Sequence, residues 1–406
     1  MTLRRAAPQP LCVLHLSADY PDANRGETTL AVRNFIRACQ GLDHFVVSLN
    51  RVALPWQVNC IEGDGRGDPQ VVSMRYWGLP GGILLGLSMT IVAWRVSRQL
   101  RLRGLQVQMV HAHKLCFEGL AAWWLHRWLR LPYVVSVRGE AESKVFRFKP
   151  HYRPWLRRVV RQARQVYYVS AWFKPILERH CQPDPDRERL LPNFVAERDR
   201  PPSGAWQRNH LVTVMDVNVF RKKGLDRLLP AFRTLLASVK DARLDVIGRG
   251  SPEVMAEVSS LIEDLQLGAH VRLCGPMPNE ELLARLPAYA AFVLPSHNET
   301  FGMSYVEALL AGVPILYSKG TGIDGFVDDV SAAWAVDPCS EDAIAQGLLR
   351  MLSAQEEHRT ALARQVPELK SRFSSRAHVE QYLQVVRHAC EAPTRPLEMA
   401  QEGRIP

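Results

Sequence analysis

Residues 294–314 read LPSHNETFGMSYVEALLAGVP. A buried strand ends at Ser296, a polar loop follows, and a helix opens near Gly302 or Met303 and stops at Gly312 before Pro314. A strand that hands over to a helix through a short polar loop is the repeating unit of a parallel sheet covered on both faces. Working outward, the same unit recurs. Before residue 190 it appears in LCVLHLSA, TTLAVRNFIRAC, HFVVSLN, VQMVHAH, GLAAWWLHRWL, PYVVSVRGE and QVYYVSAWFKPILER. After residue 210 it resumes in LVTVMDV, GLDRLLPAFRTLLASV, RLDVIGRG, VRLCG, AFVLPS and VPILYS. Between them LLPNFVAERDRPPSGAWQRNH has linker composition, with Pro192, Pro201, Pro202 and Gly204. The pattern predicts two doubly wound, Rossmann-like α/β domains, at 1–195 and 205–370. A helix and tail follow over 371–406, the helix packing back across the domains. Ligands of such sheets bind beyond the carboxyl ends of the strands, so two facing sheets imply a shared cleft.

Composition narrows the class. Over 406 residues, 47% hydrophobic and 23% charged residues are globular values. The eight cysteines are scattered without a C-x-x-C pair, which excludes zinc ribbons and redox dithiols and fits reduced thiols. Arg4 and Arg5 before LCVLHLSA imitate a signal peptide, but the apolar run is short and holds His15. We read it as a first strand of a soluble protein. Charge is uneven: residues 1–200 hold 30 Lys+Arg against 16 Asp+Glu, whereas residues 201–406 hold 21 against 25. A basic half beside a mildly acidic half suggests a polyanionic or membrane surface for the first and chemistry for the second. The apolar stretch from Leu79 to Trp94, with Trp77, Trp123, Trp124 and Trp128 near it in sequence, offers shallow interfacial anchors.

The chemistry-bearing residues cluster at the opening segment. Glu299 lies in the loop and Glu307 about four residues, or ~6 Å, into the helix. Backbone N–H groups at the helix start form an anion site, and Gly302 admits a ligand closely. A carboxylate on each side of a phosphate site suits a sugar–diphosphate–ribose ligand; alone, such a pair reads as a loop acid and a surface acid. His111 and His113, two apart on a strand, point to one face, but without acidic or cysteine partners they predict no metal site.

NETFGMSYVEALLAGVPIL resembles the E-x-F-G-x-x-x-x-E-A segment of the retaining nucleotide-sugar glycosyltransferases of family four, which have the GT-B fold. The resemblance implies that Glu299 faces the donor sugar hydroxyls, that Phe301, Gly302 and Met303 offer backbone to sugar and phosphate, and that Glu307 grips the ribose. VNVFRKKGLDRLL resembles the family's lysine-glycine segment, which places Lys223 on the donor diphosphate. Many members carry an arginine where this chain has Asn218. Members resembling the teichuronic-acid and colanic-acid transferases often have asparagine there, with a basic residue before the lysine, as Lys222 is here. In the first domain Gly26 matches the strand-one glycine beside phosphate and acceptor, although its usual neighbouring glycine is Glu27. Arg138 stands where many members place a histidine, His113 faces the same cleft, and Gly248 borders the nucleotide pocket.

Two motifs act as decoys. Asp184 and Asp186 imitate a D-x-D metal motif among prolines, and Gly248-x-Gly250 imitates a dinucleotide fingerprint without its third glycine or ribose-binding acid. The second motif makes an NAD(P)-dependent oxidoreductase one rival reading, and the cations interleaved with aromatics in KVFRFKPHYRPWLRRVVRQARQVYY make a basic nucleic-acid-binding protein the other. The expectation is a retaining hexosyltransferase of cell-surface polysaccharide synthesis. It would use a nucleoside-diphosphate sugar, a polyprenyl-linked or saccharide acceptor, no cofactor, no obligatory metal and no nucleic acid. It would work as a peripheral protein on the anionic inner face of the membrane.

Overall fold

The structure, a computed structural model, describes residues 11–22, 24, 29–62, 69–195 and 205–391. The first sheet contains β1 (Cys12–Ser17), β2 (Asp43–Val52), β3 (Cys60–Glu62), β4 (Gln70–Trp77), β5 (Met109–Ala112), β6 (Tyr133–Val137), β7 (Gln165–Tyr168) and β8 (Glu188–Leu190). Its order is β3-β4-β2-β1-β5-β6-β7-β8, and only the short β3 runs antiparallel. The second sheet contains β9 (His210–Val214), β10 (Arg243–Ile247), β11 (Val271–Gly275), β12 (Ala291–Leu294), β13 (Ile315–Ser318) and β14 (Ala333–Val336). It is ordered β11-β10-β9-β12-β13-β14 and is parallel throughout.

Sequence explains this layering directly. Strands such as YVVSV and AFVL are buried along their whole length, because helices cover both faces. The helix Leu225–Leu236 buries Leu225, Leu228, Leu229, Phe232 and Leu235, a stripe at helical spacing. Strand order reverses between β1 and β5 in one sheet and between β9 and β12 in the other. Those two reversals create the crevices in which such sheets bind ligands. The proposed linker centre at 196–204 and Gly26 lie outside the described residues.

The last helix, Ser375–Glu391, leaves the second domain and packs on the first. Val379, Tyr382, Val386 and Ala389 share one core with Phe35, Met109, Val134 and Phe194. Beneath it runs a chain of buried imidazoles. His44 Nε2 lies 3.0 Å from the Cys39 carbonyl oxygen, His44 Nδ1 3.0 Å from His15 Nε2, and His15 Nδ1 3.1 Å from His113 Nε2. The carbonyl can only accept, which fixes the tautomers in sequence: His44 and His15 each donate from Nε2 and accept at Nδ1, and His113 donates from Nε2. His111 stacks on His113 and bonds the Tyr382 hydroxyl at 3.1 Å and Ser136 at 2.9 Å. Ring nitrogens of His15, His111 and His113 lie within 4.8 Å of one another. A divalent cation there would have no carboxylate or thiolate among the described residues to balance it, in a region where Arg138 already acts unfavourably on protonated His113. The three rings serve as a hydrogen-bonded core layer.

Burial first, and then neighbouring imidazoles, hold His15 and His113 well below the ordinary 6.5; burial and Arg138 push His111 down to about 3. The unfolded chain therefore binds these protons below about pH 6.5 while the folded chain does not. The stabilisation is complete above that pH and is lost as pH falls. Each group contributes about 1.4 kcal/mol per pH unit in that window. Glu118, raised by burial to about 7, and Glu142, raised in the same way, work in the opposite direction but are outnumbered. The urea midpoint should accordingly drop by an amount equivalent to about 1–3 kcal/mol between pH 7.5 and 5.5; a midpoint that stays level or rises contradicts this account.

Candidate active site

Two loops meet at the reversal point of the second sheet. One runs from β9 to the helix Leu225–Leu236 and carries Asn218, Lys222 and Lys223; the other runs from β12 to the helix Met303–Leu310 and carries Glu299, Phe301 and Gly302. They are fastened together by backbone. The His297 N–H donates to the Lys222 carbonyl oxygen at 3.0 Å, and the Ser296 hydroxyl reaches the same oxygen at 3.2 Å. Gly224 has φ +76°, and a Cβ there would overlap the Pro295 carbonyl oxygen. This close passage brings the Lys223 ammonium onto the Glu299 carboxylate as an ion pair, with both side chains mostly buried. Behind Glu299, its N–H donates to Thr321 Oγ1 at 2.8 Å; the Thr321 hydroxyl and the Gly322 N–H both return to the Glu299 carbonyl at 2.9 Å.

The Phe301 ring is fully buried, 5.3 Å from the ring of Phe326 and 6.1 Å from that of Phe373, so its part in the cleft is played by backbone. Gly302 precedes the helix at a point where a side chain would collide with the Tyr305 ring. Met303 and Ser304 then open the helix, and N–H groups in a first turn lack intrahelical acceptors. A cation and a helix start thus lie beside one carboxylate, a combination suited to a phosphate ester that also carries hydroxyls.

The first domain supplies the opposite wall from its own strand ends. Asp19 follows β1 and pairs at 2.7 Å with Lys114, which follows β5. Arg138 follows β6; its Nε donates to the His113 carbonyl at 3.0 Å, and Nη1 lies 3.4 Å from Asn193 Oδ1. Two buried carboxylates fix these loops. Glu118 accepts from the Ala18 N–H at 2.7 Å, and Glu142 accepts from the Leu115 N–H at 3.0 Å. Across the gap Lys222 Nζ pairs with Glu140 at 3.0 Å, and Ser170 Oγ lies 2.5 Å from the Thr300 carbonyl oxygen. Burial alone would raise the Glu140 carboxyl, but Lys222 and Lys144 outweigh it and hold it below the ordinary range. Between the walls lies a cleft of about 1070 Å³.

Of the residues singled out in the sequence, Lys222, Glu299, Phe301, Gly302, Met303 and Arg138 line this cleft, and Lys223 joins through its ion pair. The others are not among its lining residues. Asn218 Oδ1 accepts from the Ser251 N–H at 2.8 Å, and its amide bonds Asp216 at 2.9 Å, so it braces the turn after β10. Gly248 packs where a Cβ would overlap the Met215 carbonyl oxygen. Glu307 sits in the second turn of its helix, and His113 belongs to the imidazole chain. Asp184 accepts from the Asp186 N–H at 3.1 Å and pairs with Arg187 at 3.2 Å, forming an ordinary turn. Sequence reading missed Asp19, Lys114, Glu140, Asn193 and Thr321. All five lie two or three residues past a strand end, the place where doubly wound sheets present ligand-binding groups.

Residues 26–193 match the model of the glycosyl transferase 4-like domain, and residues 199–368 match that of the glycosyl transferases group 1. D-inositol 3-phosphate glycosyltransferase from Corynebacterium urealyticum is 25% identical over 92% of both chains. GDP-mannose-dependent alpha-(1-6)-phosphatidylinositol monomannoside mannosyltransferase from Mycolicibacterium smegmatis is 27% identical over 48% of this chain and 54% of its own. Among solved structures, sucrose-phosphate synthase from Thermosynechococcus elongatus superposes with a TM-score of 0.69 at 17% identity, over 94% of this chain and all of that one. The chain is a glycosyltransferase built from these two domains in the GT-B fold.

Gly224→Ala should move the lysine loop off the Pro295 carbonyl and so separate Lys223 from Glu299. Gly320→Ala is the control, because Gly320 has the same φ of +76° with open space around it. By urea unfolding the control should lose about 1 kcal/mol and Gly224→Ala about 2–4 kcal/mol; equal losses would mean that the close passage carries no load.

Proposed function

We propose that the enzyme transfers a hexose from a nucleoside-diphosphate sugar to a lipid-linked or saccharide acceptor, with retention, in the synthesis of a cell-surface polysaccharide. The observation that carries this reading is the Lys223–Glu299 pair beside the helix start at Met303. In the structure the ammonium is neutralised by Glu299. A donor diphosphate exchanges places with that carboxylate on Lys223 and rests against the first turn of the helix, and Glu299 is freed to accept hydrogen bonds from the sugar hydroxyls. Glu307 takes the ribose. The bond from C1 to the diphosphate oxygen breaks while the acceptor oxygen bonds C1 on the same face, and the acceptor proton passes to the departing phosphate. Lys223 and the helix N–H groups meet the charge that grows on the leaving oxygen, which is where fixed dipoles lower a barrier most. We assign no metal and no cofactor to these steps. Arg138 and Lys114, on the opposite wall, hold the acceptor side.

The reading separates two roles. Lys223→Ala should weaken binding of the cognate nucleoside diphosphate, found by screening UDP, GDP, dTDP and ADP, by about 2–3 kcal/mol, or roughly 30- to 150-fold. Glu299→Gln should leave that affinity within about twofold and cut turnover of the sugar donor measured in EDTA, a difference confined to the reacting state. Unchanged nucleotide affinity in Lys223→Ala sinks the assignment.

The acceptor reading draws on the outer face of the first domain. Leu87, Ile91 and Trp94 project from one side of the helix Leu85–Leu102 and are 52%, 42% and 54% exposed. Ile83 and Phe148, also exposed, continue this apolar face into the lining of the cleft. Arg98, Arg101, Lys144 and Arg147 are exposed around it. Of the tryptophans expected to anchor the protein, Trp94 and Trp128 are exposed, whereas Trp123 and Trp124 pack against the core. No helix among the described residues is long and apolar enough to cross a membrane. An apolar ridge with a cationic rim fits the anionic, cytoplasmic surface of a bilayer, from which a lipid-linked acceptor would enter the cleft. The chain should float with anionic liposomes, not with neutral ones, and less in high salt. Leu87→Ser/Ile91→Ser/Trp94→Ser should stay in the soluble fraction, and flotation of this variant at the wild-type level removes the ridge from the reading.

A further inference from the structure

A second, smaller cavity of about 350 Å³ lies away from the cleft, between the outer edge of the first sheet and the last helix. Its volume is at the lower end of the range for small-molecule sites. β8 is the edge strand, and Tyr167 on β7 stands opposite Arg189 on β8 in register. Side chains two apart on a strand share a face. Gln165 and Tyr167 therefore line this cavity together with Arg187 and Arg189, and Arg164 joins them from just before β7. The helix Ser375–Glu391 closes it with Gln381, Gln384, Val385 and His388, which recur at helical spacing and form one continuous face.

The chemistry of this lining is unusual for a helix docked on a sheet. Further into the fold the same helix presents Val379, Tyr382 and Val386, but over the cavity it presents two amides and an imidazole beside Val385 and Ala389. Three arginines converge there, and no carboxylate among the described residues lines the cavity. Arg187 is balanced by Asp184 at 3.2 Å, whereas Arg189 is held by the Glu188 carbonyl oxygen at 2.7 Å and has no acid partner among the described residues. The Tyr167 hydroxyl and the Gln165 amide nitrogen are both buried without a hydrogen-bond partner in the structure. Tyr167 is only 2% exposed and Gln165 only 5%. Both atoms lie behind the cavity wall with almost no accessible surface, so what faces the cavity is guanidinium from the sheet edge and amide and imidazole from the helix. Planar guanidinium groups match phosphate oxygens two at a time.

We infer that this cavity is a second anion site, separate from the donor cleft, that takes a small phosphorylated compound. Arg164 and Arg189 carry its charge, and the amides of Gln381 and Gln384 close over it. The ligand is inorganic phosphate or pyrophosphate, or a metabolite bearing the same group. Because its partners come from both the sheet edge and the last helix, occupancy fastens that helix to the first domain.

Isothermal titration of the full chain tests this in a Lys223→Ala background, where the phosphate contact of the cleft is removed. Pyrophosphate, inorganic phosphate and glucose 1-phosphate should each be titrated, with glucose as the uncharged control; their rank order distinguishes the free from the sugar-borne group. At least one phosphorylated probe should bind, glucose should not, and adding Arg164→Ala and Arg189→Ala should weaken that binding at least tenfold. Tyr167→Phe provides the fold control. It removes an orphaned hydroxyl behind the cavity wall, so the melting temperature without ligand should hold or rise and anion affinity should stay within about twofold. Equal affinity with and without the two arginines, or no binding of any probe at millimolar concentration, overturns the site.

Discussion

The candidate active site depends on the close passage of two chain segments, Lys222–Gly224 against Pro295–His297. Only glycine fits at the contact, since a side chain on Gly224 would occupy the position of the Pro295 carbonyl oxygen. Two hydrogen bonds to the Lys222 carbonyl then fix the spacing between loops that come from different strands. Everything nearer the ligand follows from that spacing. The ammonium of Lys223 reaches the carboxylate of Glu299, Thr321 holds the Glu299 backbone from behind, and Phe301 anchors the loop in the core before the helix begins. A long, flexible side chain gains a defined position because its backbone has none to spare, which is how a scaffold preorganises a charge that must meet a phosphate.

Lys222 and Lys223 show how strongly strand and loop geometry differentiates neighbours of the same type. Lys223 turns inward to a carboxylate of its own domain, while Lys222 crosses the cleft to Glu140 of the other. The second pair, with the contact between Ser170 and the Thr300 carbonyl, ties the walls at the edge of the cleft. An exposed pair of that kind contributes on the order of 1 kcal/mol or less, so it biases the separation of the domains without locking it.

Much of this was legible in the sequence. Alternating apolar strands and amphipathic helices, broken by one proline-rich stretch, specify two parallel sheets, because strands buried on both faces and helices buried on one leave different periodicities. The segment around Glu299 was legible for a local reason: a strand end, a loop and a helix start are contiguous. The opposite wall was not. Asp19, Lys114 and Glu140 are separated by long stretches of chain, and only the register of β1, β5 and β6 brings them together. The same limit applied to the histidines. His111 and His113 could be placed on one face, but their partners His15, His44 and Tyr382 come from another strand pair and from the end of the chain. Asn218 and Gly248 meet at the turn after β10, where the exposed Asn218 side chain accepts from the Ser251 N–H and a Cβ on Gly248 would overlap the Met215 carbonyl oxygen.

The return of the last helix to the first domain has a consequence for synthesis on the ribosome. Phe35, Met109, Val134 and Phe194 are all made within the first half of the chain, yet the surface that covers them, Val379 to Ala389, is among the last to emerge. At about 5–20 residues per second, the intervening two hundred or so residues take roughly 10–40 s. Throughout that interval the first domain must hold its sheet with one apolar face and its buried imidazoles open to water. Its folding is thus completed only after the whole second domain has been translated, and the nascent chain presents that face to whatever chaperones attend the ribosome.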